Sequence, residues 1–284
     1  MEKLKNSRAA SFIAVTVIYV IAAAAGIIVY KVLDFEMWIN LLIADAAATV
    51  VTFIFSLVFK NASVYDPYWS VQPIFILVCF AIGVKMTAAR VLMIIAVAYW
   101  AVRLTANWAY TFHGLKHQDW RYTMLNETTG VFYPVINFIG IHMVPTLIVY
   151  GCTLPAVYLM LNDTAWNVGT IVFFAVSIGA ATLQLFADIQ MQRFRKNRTS
   201  PFIRTGLWKY SRHPNYLGEI LMWWGVARQA VCGMPEKWYL IAGAAANTVL
   251  FLVVSIPMAD KRQGRKEGFE EYKKQTRMLL PIKK

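Results

Sequence analysis

The chain has 284 residues, 58% hydrophobic and 15% charged, against roughly 45–50% apolar and 25% charged in an ordinary soluble domain. That composition excludes a water-soluble enzyme and a disordered chain. The 28 basic and 15 acidic residues leave a formal charge of +13, which in a membrane protein first of all orients the loops rather than marking a nucleic-acid surface.

Apolar runs near the 20 residues needed to cross a bilayer are expected, in chain order, at 9–30, 38–59, 72–84, 88–111, 132–161, 166–190, 215–233 and 238–258. The first follows MEKLKNSR and has no small-residue cleavage site before Tyr30 and Lys31, so it reads as a retained helix rather than a signal peptide. The third is the shortest, yet the charges need it to fall into order. With both ends cytoplasmic, 22 of the 28 basic residues lie on the cytoplasmic side, seven of them between Arg193 and Arg212 and nine between Lys261 and Lys284. The expectation is therefore an all-α, multi-pass transmembrane bundle of seven to eight helices. It forms a single membrane domain over 1–284 and ends in a short amphipathic cytoplasmic helix. The bacterial inner membrane and the endoplasmic reticulum are the two expected locations.

Cys79, Cys152 and Cys232 stand singly in apolar stretches, and His113, His117 and His142 make no ligand spacing. Neither a disulfide framework nor a metal site is expected, and each cysteine reads as a small buried residue. Ionisable groups inside spans are costlier and mark function by default. Asp45, Arg103, Asp188 and Glu219 qualify, with Asp66 just beyond the second span. A purely architectural alternative pairs Asp45 with Arg103.

Gln184, Asp188, Gln192 and Arg195 share one helical face that runs into the basic cluster. Pro214 then suits a helix start and puts Asn215 and Glu219 one turn apart. Arg195, Lys196, Arg198, Arg204, Lys209 and Arg212 lie between those two groups. Carboxylates and amides for ribose and base, with arginines for phosphate, suit a dinucleotide. No GxGxxG follows a strand pattern, so a nucleotide would bind among helices. Residues 184–284 are the expected cofactor half and 38–122 the substrate half. The tail places Phe269, Tyr272 and Thr276 on one face, as an amphipathic helix at the membrane surface or one closing over a cofactor.

TGLWKYSRHPNYLGE at 205–219, with MWWG after it, ADIQMQRFRK before it and FEEYKKQTRMLLPI in the tail, resembles the C-terminal half of the steroid 5-alpha-reductase superfamily. The likeness is greatest to the bacterial and eukaryotic branch that carries this motif. DPYWS at 66–70, WAVRLTANW at 100–108 and QDWRY at 118–122 extend it more weakly. RHPNY alone is shared with membrane methyltransferases that bind S-adenosylmethionine.

The resemblance implies NADPH in a cytoplasm-facing crevice, held by Asp188, Arg195, Arg204, Asn215 and Glu219. Tyr210, Arg212 and His213 of the motif, and the tail near Lys261 and Arg265, are further contacts. The implied reaction reduces the C=C bond of a lipophilic enone of steroid, sterol or polyprenoid type. The family's Gln-Glu pair has no literal copy, which leaves Asp66 as the nearest acid. Its carbonyl-polarising Tyr aligns with Trp100, so Tyr99, Tyr65 or Tyr68 has to supply the hydroxyl. The expected partners are the lipophilic substrate and membrane lipids, with neither nucleic acid nor an obligate protein. An S-adenosylmethionine-dependent lipid methyltransferase is the alternative.

Overall fold

The structure, a computed structural model, describes residues 2–281; Lys283 and Lys284, counted above in the basic tail, and the side chain of Lys3 lie outside the described residues. The main helices are α1 (Arg8–Val32), α2 (Met37–Phe59), α3 (Tyr68–Ala81), α4 (Ala88–Thr111), α5 (Trp120–Leu161), α6 (Val168–Lys196), α7 (Pro214–Gly233), α8 (Pro235–Gln263) and α9 (Phe269–Gln275). No strand occurs among the described residues.

Six of these helices, α1, α2, α4, α5, α6 and α8, are long and apolar enough to cross a membrane. The protein is thus a multi-pass helical bundle. The two other expected spans form helices of a different kind. With 14 residues, α3 reaches about 21 Å, short of a hydrocarbon core of about 30 Å. The 20-residue α7 carries Asn215, Glu219, Arg228 and Gln229 and is largely buried.

Local chemistry sets the helix ends. Ser7 accepts from the Ala10 N–H, and Asn167 and Thr170 form a reciprocal capping box at the start of α6. Asp119 accepts from the Arg121 N–H, which starts α5 well before the expected residue 132. Lys60 closes α2 in the left-handed conformation, with φ of 48°. Two helices widen into π turns, Asn137–Met143 in α5 and Phe251–Ser255 in α8, each two residues before a proline, Pro145 and Pro257. Proline lacks an N–H and clashes with the carbonyl four residues back, and a wider turn accommodates both.

The chain divides into two compact units. Unit 1 comprises residues through Phe75 with Leu104–Tyr150, and unit 2 comprises Ile76–Arg103 with the residues from Gly151 onward. In unit 1, Ala22 of α1 and Ala48 of α2 pack with Tyr65 and Tyr68. A second cluster joins Val15, Ile18, Phe59, Val64, Phe112 and Leu115. Ile13, Val17, Val20 and Ile28 of α1 are exposed, as a lipid-facing stripe requires.

In unit 2, α6 and α7 approach closely enough to need glycine. A Cβ on Gly225 would lie 2.2 Å from the Ser177 hydroxyl oxygen, and one on Gly218 would lie 2.6 Å from the Ala180 carbonyl oxygen. Cys152 is buried as expected, whereas Cys79 is exposed on the short α3 and Cys232 of α7 is only half-buried, which corrects the expectation for both. The tail differs from a surface-lying helix too. Phe269, Tyr272 and Thr276 are all buried, with Phe202 against both rings, so the apolar face is covered by protein.

Candidate functional site

Unit 2 collects charged groups. Arg103 of α4 is 6% exposed and donates from Nη1 to Asp188 Oδ2 at 2.9 Å and from Nη2 to Gln184 Oε1. Gln184 and Asp188 are one turn apart on α6, as their spacing requires. Glu219 of α7 accepts from the indole N–H groups of Trp100 and Trp223, each at 2.9 Å, and the two indoles meet edge to face. Asn215 hydrogen-bonds Asp188, whose charge also feels Arg195 further along α6. A carboxylate taken out of water needs such partners, since losing hydration costs several kcal/mol.

Three polar atoms of this cluster are buried without a hydrogen-bond partner: Gln184 Nε2, Arg103 Nε and Asn215 Oδ1. Buried polar groups are rarely left so. Two donors and an acceptor beside a fixed carboxylate fit the hydroxyls and carboxamide of a nucleotide.

The other residues expected at the cofactor are placed differently. Arg212 donates to Asp260 Oδ2 at 2.9 Å and to the Thr276 carbonyl at 2.6 Å, and His213 Nε2 lies 2.9 Å from Asp260 Oδ1. With the Arg212 N–H on the Arg277 carbonyl and the Tyr272 hydroxyl on the Trp208 carbonyl, these contacts fasten the tail. Burial raises the Tyr272 hydroxyl pKa, which suits a proton retained for that bond. Arg204, Tyr210, Lys261 and Arg265 are exposed.

Unit 1 collects hydroxyls instead. The Tyr68 hydroxyl donates to Asp45 Oδ1 at 2.7 Å and Gln72 Nε2 donates to Asp45 Oδ2 at 2.9 Å. The Tyr65 hydroxyl lies 2.7 Å from Thr146 Oγ1, which lies 2.8 Å from Thr49 Oγ1. Tyr65 and Tyr68 stack at 5.2 Å, with His142 of the π turn against Tyr65 at 4.6 Å. Gln72 Oε1 and His142 Nε2 are buried without partners.

Of the expected catalytic set, Tyr65 and Tyr68 come together but Asp66 does not join their hydroxyls. Asp66 accepts from Tyr122 at 2.6 Å. Burial pushes its carboxyl from the ordinary 3.8 up to about 6, with Arg121 and Tyr122 pulling partly back. The Tyr99 hydroxyl meets Thr182 Oγ1 at 3.1 Å. The alternative Asp45–Arg103 pair is overturned, because Asp45 is held by Tyr68 and Gln72, and Arg103 by Asp188 and Gln184. Asp45, Gln72, Tyr122, Thr146, Trp100 and Trp223 complete the clusters. Of these, Asp45 was signalled by its charge inside a span, whereas neutral residues leave no such mark.

A family model described as "protein of unknown function (DUF1295)" matches residues 52–276. An uncharacterized protein of Schizosaccharomyces pombe is 27% identical over 194 residues, 58% of this chain and 56% of that protein. The chain therefore spans little more than half the length of that relative. No solved structure matches the chain.

Proposed function

The chain belongs to the DUF1295 family, and from that premise we propose that it is a membrane-embedded, NADPH-dependent reductase of a conjugated C=C bond in a lipophilic enone. The family is related to steroid 5-alpha-reductase-like membrane proteins, whose C-terminal motif the sequence resembles. The observation that carries the reading is the buried cluster of Arg103, Gln184, Asp188, Asn215 and Glu219 with its unpartnered polar atoms. The six cations from Arg193 to Lys209, without Arg212, which is paired with Asp260, favour a cofactor bearing pyrophosphate over one that is itself a sulfonium cation.

NADPH bound at that cluster would supply the hydride. The chain's own residues do the rest. Asp188, paired with Arg103, and Asn215 bind hydroxyls; Glu219, fixed by two indoles, keeps its carboxyl group in place. Reduction of an enone also needs a donor where negative charge develops on oxygen. In unit 1 the Tyr68 hydroxyl is the best-built donor: its one proton, which rests on Asp45 in the structure, would turn to the enone oxygen once the Asp45 carboxyl is itself protonated and donates to the phenol oxygen, which transfers to Asp45 the role that the sequence suggested for Asp66. The substrate end draws on a flat apolar ligand that enters from the bilayer.

The test is an assay of the detergent-purified full chain with NADPH deuterated at the transferable position and a panel of steroid and polyprenyl enones. The reading predicts deuterium at the carbon β to the carbonyl of at least one substrate. Absence of label from every member, together with methyl transfer from S-adenosylmethionine, would replace it with the methyltransferase.

A further inference from the structure

A second cluster in unit 2 begins where the first ends, at Arg195 of α6. The last turn of α6, the following loop, the end of α8 and the tail enclose a cavity of about 260 Å³. Arg195, Arg198, Arg262 and Lys266 line it, and no carboxylate does. Its floor is aromatic: Phe202, Phe269 and Tyr272 are buried and meet one another at 5.2–5.8 Å between ring centres. Trp208, also buried, completes it.

Four cations gathered on one rim repel each other. Burial first, and then the charges of Arg198, Arg262 and Arg195, lower the Lys266 ammonium pKa from its ordinary value. Lys266 Nζ donates to Gln263 at 2.6 Å and Arg198 to the Pro201 carbonyl at 2.9 Å, so the observed partners that hold them are neutral. Positive charge held together in this way is relieved by a bound anion. Both α6 and α8 are long apolar helices that end at this cavity, which places it at the level of lipid headgroups.

We propose that this cavity is a binding site for a phosphate monoester, its oxygens on Arg195, Arg198, Arg262 and Lys266 and the attached group on the aromatic floor. A dianion suits four cations, and guanidinium groups bind phosphate oxygens in pairs. The phosphate can arrive on a soluble nucleotide or on an anionic lipid. The proposal does not depend on the reductase reading: Arg103, Gln184, Asp188, Asn215 and Glu219, which carry that reading, do not line the cavity.

The test uses the purified full chain in a neutral detergent at low ionic strength. Thermal stability is read with adenosine 2'-monophosphate, with short-chain phosphatidic acid, with inorganic phosphate, and with adenosine as the uncharged control. At least one monoester should raise the melting temperature while adenosine does not. The Arg198→Gln/Lys266→Gln double variant should weaken that monoester at least tenfold. A nucleotide-only response assigns the soluble source and a phosphatidic acid-only response assigns the lipid.

No shift with any of the three probes, or a shift that survives intact in the double variant, overturns the proposal. NADPH binding measured in parallel separates the two readings. If NADPH binds the wild type and the variant equally while no monoester binds, only the cavity proposal fails. If a monoester binds and NADPH does not, only the reductase fails. Arg198 is exposed and Lys266 half-buried, so the variant is expected to fold; an unliganded melting temperature close to wild type checks this.

Discussion

In unit 1 the buried carboxylate Asp45 is met by a phenol and an amide, whereas in unit 2 Asp188 is met by a guanidinium and Glu219 by two indoles. The difference in partners separates two kinds of work. A carboxyl among neutral hydrogen bonds can hold or pass a proton without stranding a charge. A carboxylate locked to an arginine has both charge and position spoken for and serves as a fixed anchor. Proton chemistry is therefore assigned to the hydroxyl-rich unit and ligand anchoring to the charged one.

The largest expected effect comes from breaking the anchor. Asp188→Ala leaves Arg103 buried and unpaired and should cost about 3–5 kcal/mol, read as a fall in melting temperature of the detergent-purified protein. The Arg103→Met/Asp188→Leu pair should recover much of that loss, because an apolar pair carries no unmet charge. If both variants melt alike, the ion pair is not what the cluster depends on.

Next comes the donor of unit 1. Tyr68→Phe keeps the ring stacked on Tyr65 but removes the hydroxyl, and should lower kcat by about 10²–10³ with NADPH affinity unchanged. Asp66→Asn should leave turnover within a few-fold. Equal losses in the two variants would return the acid's role to Asp66.

A pH experiment sharpens the contrast within unit 1. The Asp66 carboxyl is raised from 3.8 to about 6 by burial, so the folded state holds this proton more tightly than the unfolded chain. Stability should fall as pH rises from about 4 to about 6, by up to about 3 kcal/mol, and stay at that lower level above. Melting curves of the wild type and Asp66→Asn should coincide near pH 4 and separate by pH 7, with the variant more stable. Parallel curves would mean that the carboxyl is not raised.

The smallest effect is a cap. Asn167→Ala removes the reciprocal hydrogen bonds at the start of α6 and should cost about 1 kcal/mol in thermal stability without altering nucleotide affinity. A change in affinity instead would mean that the position of α6 is set from its far end.

Much of this was legible before any coordinates. The spacing of Gln184 and Asp188 places them on one face of α6, and Pro214 marks the start of α7, because both follow from helical period and proline chemistry. The tail's apolar face was legible as a face, but not as one covered by Phe202, since burial against protein and against lipid leave the same periodicity. Arg212 and His213 sit in the motif yet are held by Asp260, an acid 47 residues beyond His213. Nothing local in RHPNY names that partner. Asp45 was conspicuous as a charge inside a span, but its partners Tyr68 and Gln72 come from the 14-residue α3, whose register against α2 no local pattern gives.

The central claim is that the Asp188 cluster holds a nicotinamide dinucleotide, and ligand-induced stabilisation of the full chain tests it most directly. NADPH at 100 times its dissociation constant should stabilise the protein by about 2.7 kcal/mol, and S-adenosylmethionine should not. Stabilisation by S-adenosylmethionine with no response to NADPH would contradict the account.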